Sequence, residues 1–284
     1  MVHFIVFYTI PSKYYLHRNE RFGTLIGERI GGEKVIVHKE WWAGIPLLHV
    51  YKEEMKQDAP IVIFLHGFMS AKEHNLHYAY NLVEKGVRVI LPDAYMHGER
   101  TENLPESQMN LIFWRIVLKY VEEVGVLHQA LKEQGFTGDI GVMGTSMGGI
   151  TTTGCLKKYD WIKVAGVLMG VVSYTEMAQF QLKQMEAQGI HVPMTEQQRQ
   201  AILARLEDYN VTTNAAIFER VPVIFWHGKK DSVVPFQMTY PFYELLVQQG
   251  RDTKVHYIAD EKAGHAVSRE GVLAVTAWVA QHLA

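Results

Sequence analysis

The stretch IGVMGTSMGG at positions 140–149 decides the fold class. Its first four residues form a short apolar run typical of a buried strand, and residues 151–158 beyond it form a plausible helix. Between them, Gly144-Thr145-Ser146-Met147-Gly148 matches G-x-S-x-G, which is typical of a tight strand-to-helix turn that lifts a serine hydroxyl above a sheet. The amino end of the following helix would place partial positive charge where an oxyanion forms. The stretch therefore predicts Ser146 as a nucleophile, and a structural glycine-rich turn is the alternative.

Further short apolar runs extend this pattern along the chain. Including the run in the opening stretch, they lie at 61–65, 87–91, 140–143, 164–172, 221–226 and 255–258. Helical segments are predicted between and after them, from a capping box at 70–73 to Gly86 and at 108–135, 236–249 and 266–283. A hairpin of 34–39 and 45–52, with a turn near Gly44, is predicted before the runs. Strands alternating with crossover helices predict an α/β fold with a mostly parallel central sheet flanked by helices.

Residues 173–220 interrupt the alternation because they carry no strand signal. Two helices are predicted there, the second opened by a capping box at 195–198. We expect them to form a small helical cap, and a surface excursion without a binding role is the alternative. Met177 and Met185 are flexible apolar residues suited to contact an acyl chain beneath such a cap, and core packing accounts for them equally well. The predicted organisation is an N-terminal arm of uncertain structure at 1–33 and one domain at 34–284 that contains the cap.

A serine nucleophile requires a general base, and the base requires a carboxylate that orients it. In this architecture the chain order is serine, then Asp or Glu, then His. Asp231 follows the strand predicted at 221–226, and His265 follows the last predicted strand. Both lie beyond carboxyl ends of strands, where open α/β sheets build their sites. Glu176, after the preceding strand, is a rival for the acid.

Stabilising an oxyanion requires two backbone N–H groups. Met147, directly after the nucleophile, supplies one of them. The second is expected from the loop after 61–65, where Phe68 is the best candidate. Gly67 would let this loop approach the serine closely, and His66 is a candidate to brace it.

Two longer stretches carry a family resemblance. The sequences HGFMSAKEHN at 66–75 and LPDAYMHGER at 91–100 resemble the α/β-hydrolase superfamily, in its dienelactone-hydrolase-like and prolyl-oligopeptidase-like branch of small bacterial carboxylesterases of the YitV and YjfP type. The resemblance runs from about residue 34 to the last residue. It implies an α/β-hydrolase fold and hydrolysis of small carboxylic esters through Ser146, Asp231 and His265. Dienelactone hydrolases proper have cysteine as the nucleophile, so serine here argues against dienelactone substrates.

The predicted function is therefore that of a serine carboxylesterase with an acyl-enzyme intermediate. A thioesterase or an aminoacyl-peptidase with the same three residues is the alternative among enzymes. A non-catalytic ligand-binding protein on the same fold is the alternative from another class. A p-nitrophenyl ester assay over a range of acyl lengths discriminates among these most cheaply.

Composition excludes several other classes of protein. Of 284 residues, 48% are hydrophobic and 20% are charged, which excludes a disordered or coiled-coil chain. The 28 basic and 30 acidic residues leave no basic footprint for nucleic acid. No apolar stretch reaches the roughly 18–20 residues that a bilayer requires, so no membrane association is expected. The single cysteine, Cys155, excludes an intramolecular disulfide and favours a reducing, cytoplasmic location.

Four histidines lie close together in the two longer stretches. His74 and His77 are three residues apart on a predicted helix, near His66 and His97. Because none has a zinc-binding spacing with a carboxylate partner, we predict no metal and no cofactor. Glu99 and Arg100 are consistent with mutual pairing or with substrate contact. The predicted partner is a small-molecule ester.

Overall fold

The computed structural model describes residues 16–17, 24–26, 34–190, 192 and 194–283. Over these residues, ten strands form one sheet in the order β1-β2-β3-β4-β6-β5-β7-β8-β9-β10. The strands are β1 Leu16–His17, β2 Thr24–Ile26, β3 Val35–Trp42, β4 Ile45–Lys52, β5 Ile61–Leu65, β6 Arg88–Pro92, β7 Ile140–Thr145, β8 Val164–Leu168, β9 Val223–Gly228 and β10 Val255–Asp260. The helices are α1 Leu76–Val83, α2 Glu106–Leu111, α3 Phe113–Glu133, α4 Met147–Lys158, α5 Tyr174–Ala187, α6 Glu196–Glu207, α7 Ile217–Arg220, α8 Tyr240–Gln248 and α9 Arg269–Gln281.

The sheet has an antiparallel part and a parallel part. Strands β1 to β4 pair antiparallel, and β4 joins β6 antiparallel with Leu48 opposite Leu91. From β6 to β10 all neighbours are parallel, for example Ile63 opposite Val142 between β5 and β7. Loops that follow the parallel strands therefore meet at one edge of the sheet. This confirms the predicted α/β fold with a mostly parallel sheet.

The core lies in two layers because successive side chains of a strand point to opposite faces. Ile61, Ile63 and Leu65 belong to the cluster shared with α3 and α4. Val62 and Phe64 belong to the cluster shared with α1 and α9. All five side chains are at most 1% exposed. Burial on both faces explains why this strand is a continuous apolar run in the sequence.

Three local expectations are corrected by the structure. Strand β8 ends at Leu168 rather than at 172, because Met169 turns at φ 43° and donates its N–H to the Trp226 carbonyl. The helix expected at 108–135 is divided into α2 and α3 at Ile112. The capping box expected at Ser70 is not formed, since Ser70 Oγ is hydrogen-bonded to His74 Nδ1 and a short 3₁₀ helix begins after Ala71.

The two remaining parts of the predicted organisation are the arm and the cap. Most of the arm at 1–33 lies outside the described residues, and its described pieces, β1 and β2, extend the sheet beyond β3. Within 173–220 the structure has α5, α6 and α7, and the capping box at Thr195 and Gln198 is confirmed. Among the described residues, the structure contains no helix with both the length and the apolarity to cross a membrane.

Candidate active site

Ser146 occupies the sharp turn between β7 and α4. Its backbone has φ 53° and ψ −117°, a region that costs a non-glycine residue roughly 1–3 kcal/mol. The turn is held by the Ser146 N–H, which donates to the Leu168 carbonyl at 2.9 Å, and by its carbonyl, which accepts from Ile150 N–H at 2.9 Å. Gly148 packs so closely on Leu65 that a Cβ atom there would collide with the Leu65 carbonyl. The strand-to-helix turn predicted from G-x-S-x-G is therefore formed.

The structure brings Ser146, His265 and Asp231 into one hydrogen-bonded chain. Ser146 Oγ lies 2.8 Å from His265 Nε2, and His265 Nδ1 lies 2.7 Å from Asp231 Oδ2. Since an ionised carboxylate only accepts hydrogen bonds, Nδ1 carries the proton of the neutral ring. Nε2 then accepts the serine proton. This geometry allows His265 to act as a general base toward Ser146.

Asp231 is buried and remains ionised. Burial alone would raise its pKa, but hydrogen bonds with His227 and His265 hold the pKa well below its ordinary value. Its second oxygen, Oδ1, accepts the N–H groups of Val233 and Val234 at 2.9 Å each. The carboxylate is thus fixed with one oxygen directed at His265.

His227 is a neighbour of this site that sequence reasoning missed. It is the penultimate residue of β9. Its Nε2 donates to the Val234 carbonyl at 2.8 Å and lies 3.4 Å from Asp231 Oδ2. The available signal was its spacing of four residues from Asp231, directly after an apolar run. His227 holds the loop that carries Asp231 against the end of β9.

The loop after β5 lies directly beside the serine. A Cβ atom on Gly67 would be 3.5 Å from Ser146 Cβ, which shows how closely the backbones approach. Among the described residues, no acceptor is found for the amide N–H of Phe68 or of Met147. Both N–H groups that the sequence predicts as oxyanion donors are therefore without a hydrogen-bond acceptor in the part of the chain that the structure describes.

Two buried histidines fix the loop after β5 by hydrogen bonds. His66 Nδ1 donates to the Gly67 carbonyl at 2.8 Å, and its Nε2 accepts the Ala94 N–H at 3.0 Å. His97 Nδ1 donates to the Tyr95 carbonyl at 2.9 Å, and its Nε2 accepts the Met69 N–H at 3.0 Å. Burial lowers the pKa of His66 to about 4 and also lowers that of His97. Both rings are neutral and both tautomers are fixed by their partners.

A buried ionic network anchors the same region. Lys72 Nζ, whose side chain is fully buried, lies 2.7 Å from Asp93 Oδ2 and 2.6 Å from Glu99 Oε1. Asp93 also accepts the backbone N–H groups of Lys72 and Glu99. Arg100 is not paired with Glu99 but forms a bidentate pair with Glu123 of α3. Glu99 and Arg100 therefore have structural partners outside the catalytic chain.

The other candidate residues are not part of the hydrogen-bonded series of Ser146, His265 and Asp231. Glu176 is in the first turn of α5, where its N–H donates to Ser173 Oγ, and it has no contact with His265 among the described residues. Met177 is a buried residue of α5 and packs in the core. Met185 lines a cavity of about 560 Å³ between α3, α5 and α6 that neither Ser146 nor His265 lines. Contact of the two methionines with an acyl chain stays a prediction.

The histidine cluster has ordinary hydrogen-bonding and packing roles. His74 is bonded to Ser70, and the His77 ring lies 4.3 Å from the Tyr78 ring, centroid to centroid. Over the described part of the chain, no group of three or more His, Cys, Asp or Glu side chains is arranged to hold a metal ion. Cys155 is buried within α4, and burial raises its thiol pKa.

Comparison with known proteins finds a family profile and relatives that match this chain. The sequence profile of the prolyl oligopeptidase family matches residues 120–284. The chain is 44% identical over 246 residues to the putative esterase YitV of Bacillus subtilis (strain 168), covering 85% of this chain and 96% of that protein. It is 30% identical over 247 residues to the esterase YjfP of Escherichia coli (strain K12), with the same coverage of 85% and 96%.

Solved structures show the fold. TT1662 from Thermus thermophilus superposes with a TM-score of 0.71 at 21% identity, covering 88% of this chain and 98% of that chain. The fold is that of the α/β-hydrolases.

Proposed function

Since this chain belongs to the prolyl oligopeptidase family and is a serine hydrolase with esterase relatives, we propose that it cleaves small carboxylic esters through Ser146, His265 and Asp231. One observation carries the proposal. A single unbroken hydrogen-bonded chain, with links of 2.8 Å and 2.7 Å, runs from the strained serine through the histidine to a buried carboxylate. This is the arrangement that nucleophilic catalysis by serine requires.

The first half of the reaction forms an acyl-enzyme. Ser146 Oγ attacks the ester carbonyl carbon while its proton passes to His265 Nε2. The carbonyl oxygen becomes an oxyanion that accepts hydrogen bonds from the Phe68 and Met147 N–H groups. When the C–O bond to the alcohol breaks, His265 returns the proton to the departing alkoxide. Asp231 stabilises the imidazolium that exists between these steps.

Water completes the cycle. It loses a proton to His265 Nε2 and attacks the acyl carbonyl, and the same two N–H groups hold the second oxyanion. When this second tetrahedral intermediate collapses, the bond to Ser146 Oγ breaks and the carboxylic acid is released. Ser146 Oγ recovers its proton from His265. No redox step or additional cofactor is needed to balance either half.

Small, uncharged esters are the substrates we propose. Met69 and Val233, in the loops that carry Phe68 and Asp231, are 53% and 55% exposed and provide apolar surface. Neither Ser146 nor His265 lines the cavity of about 560 Å³, so we do not place the reacting ester in it.

A series of p-nitrophenyl esters from acetate to palmitate tests this function. We expect kcat/KM to be highest for short acyl groups. Ser146→Ala should lower turnover by about 10⁶-fold with an unchanged circular dichroism spectrum, because the three residues act as a unit. Retention of more than a few per cent of activity by the folded variant would refute the assignment. Faster cleavage of a matched thioester or aminoacyl anilide would instead favour one of those two activities.

A further inference from the structure

The cavity between α3, α5 and α6 has no part in the mechanism proposed above. Its volume of about 560 Å³ is within the roughly 300–1,000 Å³ range of small-molecule pockets. The catalytic serine, histidine and aspartate are all absent from its lining, as are Phe68 and Met147. Any molecule that binds in this cavity therefore does so away from the reacting ester group.

The floor of this cavity is apolar. Leu118 of α3, Ala178 of α5 and Leu206 of α6 form its buried part, each no more than 6% exposed. Leu182 and Met185 add flexible apolar surface from α5. An apolar ligand segment that enters would exchange water for these side chains, which is favourable at roughly 25 cal/mol per Å² of apolar surface buried.

The cavity lining also carries an excess of positive charge. Lys119 lies 3.7 Å from Glu122, which is the one carboxylate among the described residues that line the cavity, and Arg199 lies 3.7 Å from Glu196 beside it. The two other arginines in the lining are Arg115 and Arg205, which are exposed and for which no carboxylate partner is found among the described residues. The Arg115 guanidinium lies 5.5 Å from the Tyr95 ring centroid, at a wall of the cavity.

We propose that this cavity binds a free medium-chain monocarboxylate from solution. The hydrocarbon tail would lie against the apolar floor, and the carboxylate would pair with Arg115 and Arg205. Guanidinium groups remain charged at every physiological pH and suit carboxylates geometrically. The tail of a neutral alcohol would pack against the apolar floor, but its hydroxyl group would form no ion pair with the arginines. An alkyl cation would be repelled by the arginines. Binding at this site does not depend on the proposed ester hydrolysis.

Isothermal titration of the full-length Ser146→Ala variant tests the proposal. We expect decanoate to bind with one site per chain, decanol to bind about tenfold more weakly, and decyltrimethylammonium not to bind. The double charge reversal Arg115→Glu and Arg205→Glu should weaken decanoate at least about tenfold, since one hydrogen-bonded charge pair accounts for that much. Arg269→Glu, an exposed arginine at the start of α9, is the matched control and should leave the affinity unchanged.

A second variant tests the location. Leu182→Trp should fill the cavity and abolish decanoate binding, while ester hydrolysis in the otherwise wild-type chain stays within about twofold. Equal affinity for decanoate and decanol, or an unchanged affinity in the folded arginine double variant, would overturn the proposal. If Leu182→Trp leaves the decanoate affinity of the Ser146→Ala protein unchanged, the acid binds outside this cavity and the proposal is overturned as well.

Discussion

The backbone N–H of Met69 donates a 3.0 Å hydrogen bond to Nε2 of His97. Met69 follows Phe68, the proposed oxyanion donor, and has a positive φ of 56°. The bond therefore fixes the turn that directly follows Phe68. It exists only while His97 is neutral, because a protonated ring has no acceptor nitrogen.

Replacing His97 should damage turnover more than substrate binding. We expect His97→Phe to lower kcat by about 10- to 100-fold with a small change in KM, because a slightly misplaced donor loses transition-state stabilisation. His97→Gln should retain more activity, since its side-chain oxygen is an acceptor for the Met69 N–H. Steady-state kinetics with p-nitrophenyl acetate measure both values. Equal losses in the two folded variants would show that only the ring's packing matters.

A pair of amide substitutions identifies which carboxylate orients His265. Asp231→Asn should lower kcat by about 10⁴-fold, because an amide donor opposite Nδ1 favours the wrong histidine tautomer. Glu176→Gln is the matched control and should stay within about twofold, since Glu176 is on α5 without contact to His265. Both variants should melt within a few degrees of the wild-type protein. A larger effect at Glu176 would assign the carboxylate to the loop after β8.

The sequence predicted the strands well where burial on both faces leaves an apolar run. Strand β5 was expected at 61–65 and is found there, and β6 and β9 are shifted by one and two residues. The exception is the run at 164–172. Val171 and Val172 are buried, yet they lie beyond the turn at Met169. An apolar run in the sequence predicts burial, but it does not predict the residue at which the strand ends.

Site residues were predictable when a parallel strand delivers them to one edge of the sheet. Ser146, Asp231 and His265 each follow such a strand, so their approach follows from topology. The roles of His97 and Lys72 depend on partners that are distant in sequence and have no local signature. The Ser70 capping box is wrong because Ser70 Oγ is hydrogen-bonded to His74 Nδ1 and the helix begins one residue later, after Ala71. Neither spacing nor periodicity carries that information.

The buried His66 should make stability depend on pH. Burial lowers its pKa from about 6.5 to about 4, so the unfolded chain binds a proton that the folded chain does not. Its contribution is fully present above about pH 6.5 and is lost as pH falls toward 4. We expect the urea-derived free energy of unfolding to decline across this window. His66→Gln should be less stable at pH 7 but should decline less steeply, whereas the exposed His256→Gln should follow the wild-type slope.

Removing the buried lysine should destabilise the fold through the carboxylate it leaves behind. Lys72→Met keeps an unbranched apolar stem but removes Nζ, so the fully buried Asp93 loses the Lys72 cation. The partly exposed Glu99 loses the same cation and keeps its pair with Lys39. Breaking one side of a buried ion pair costs about 3–5 kcal/mol, so the urea midpoint should fall by a corresponding amount. Because Asp93 also accepts the Glu99 N–H near His97, kcat should fall with stability. The exposed Lys85→Met serves as the matched control and should change neither quantity. A loss below about 1 kcal/mol would mean that water replaces the lysine at Asp93, and the network would then not anchor the loop.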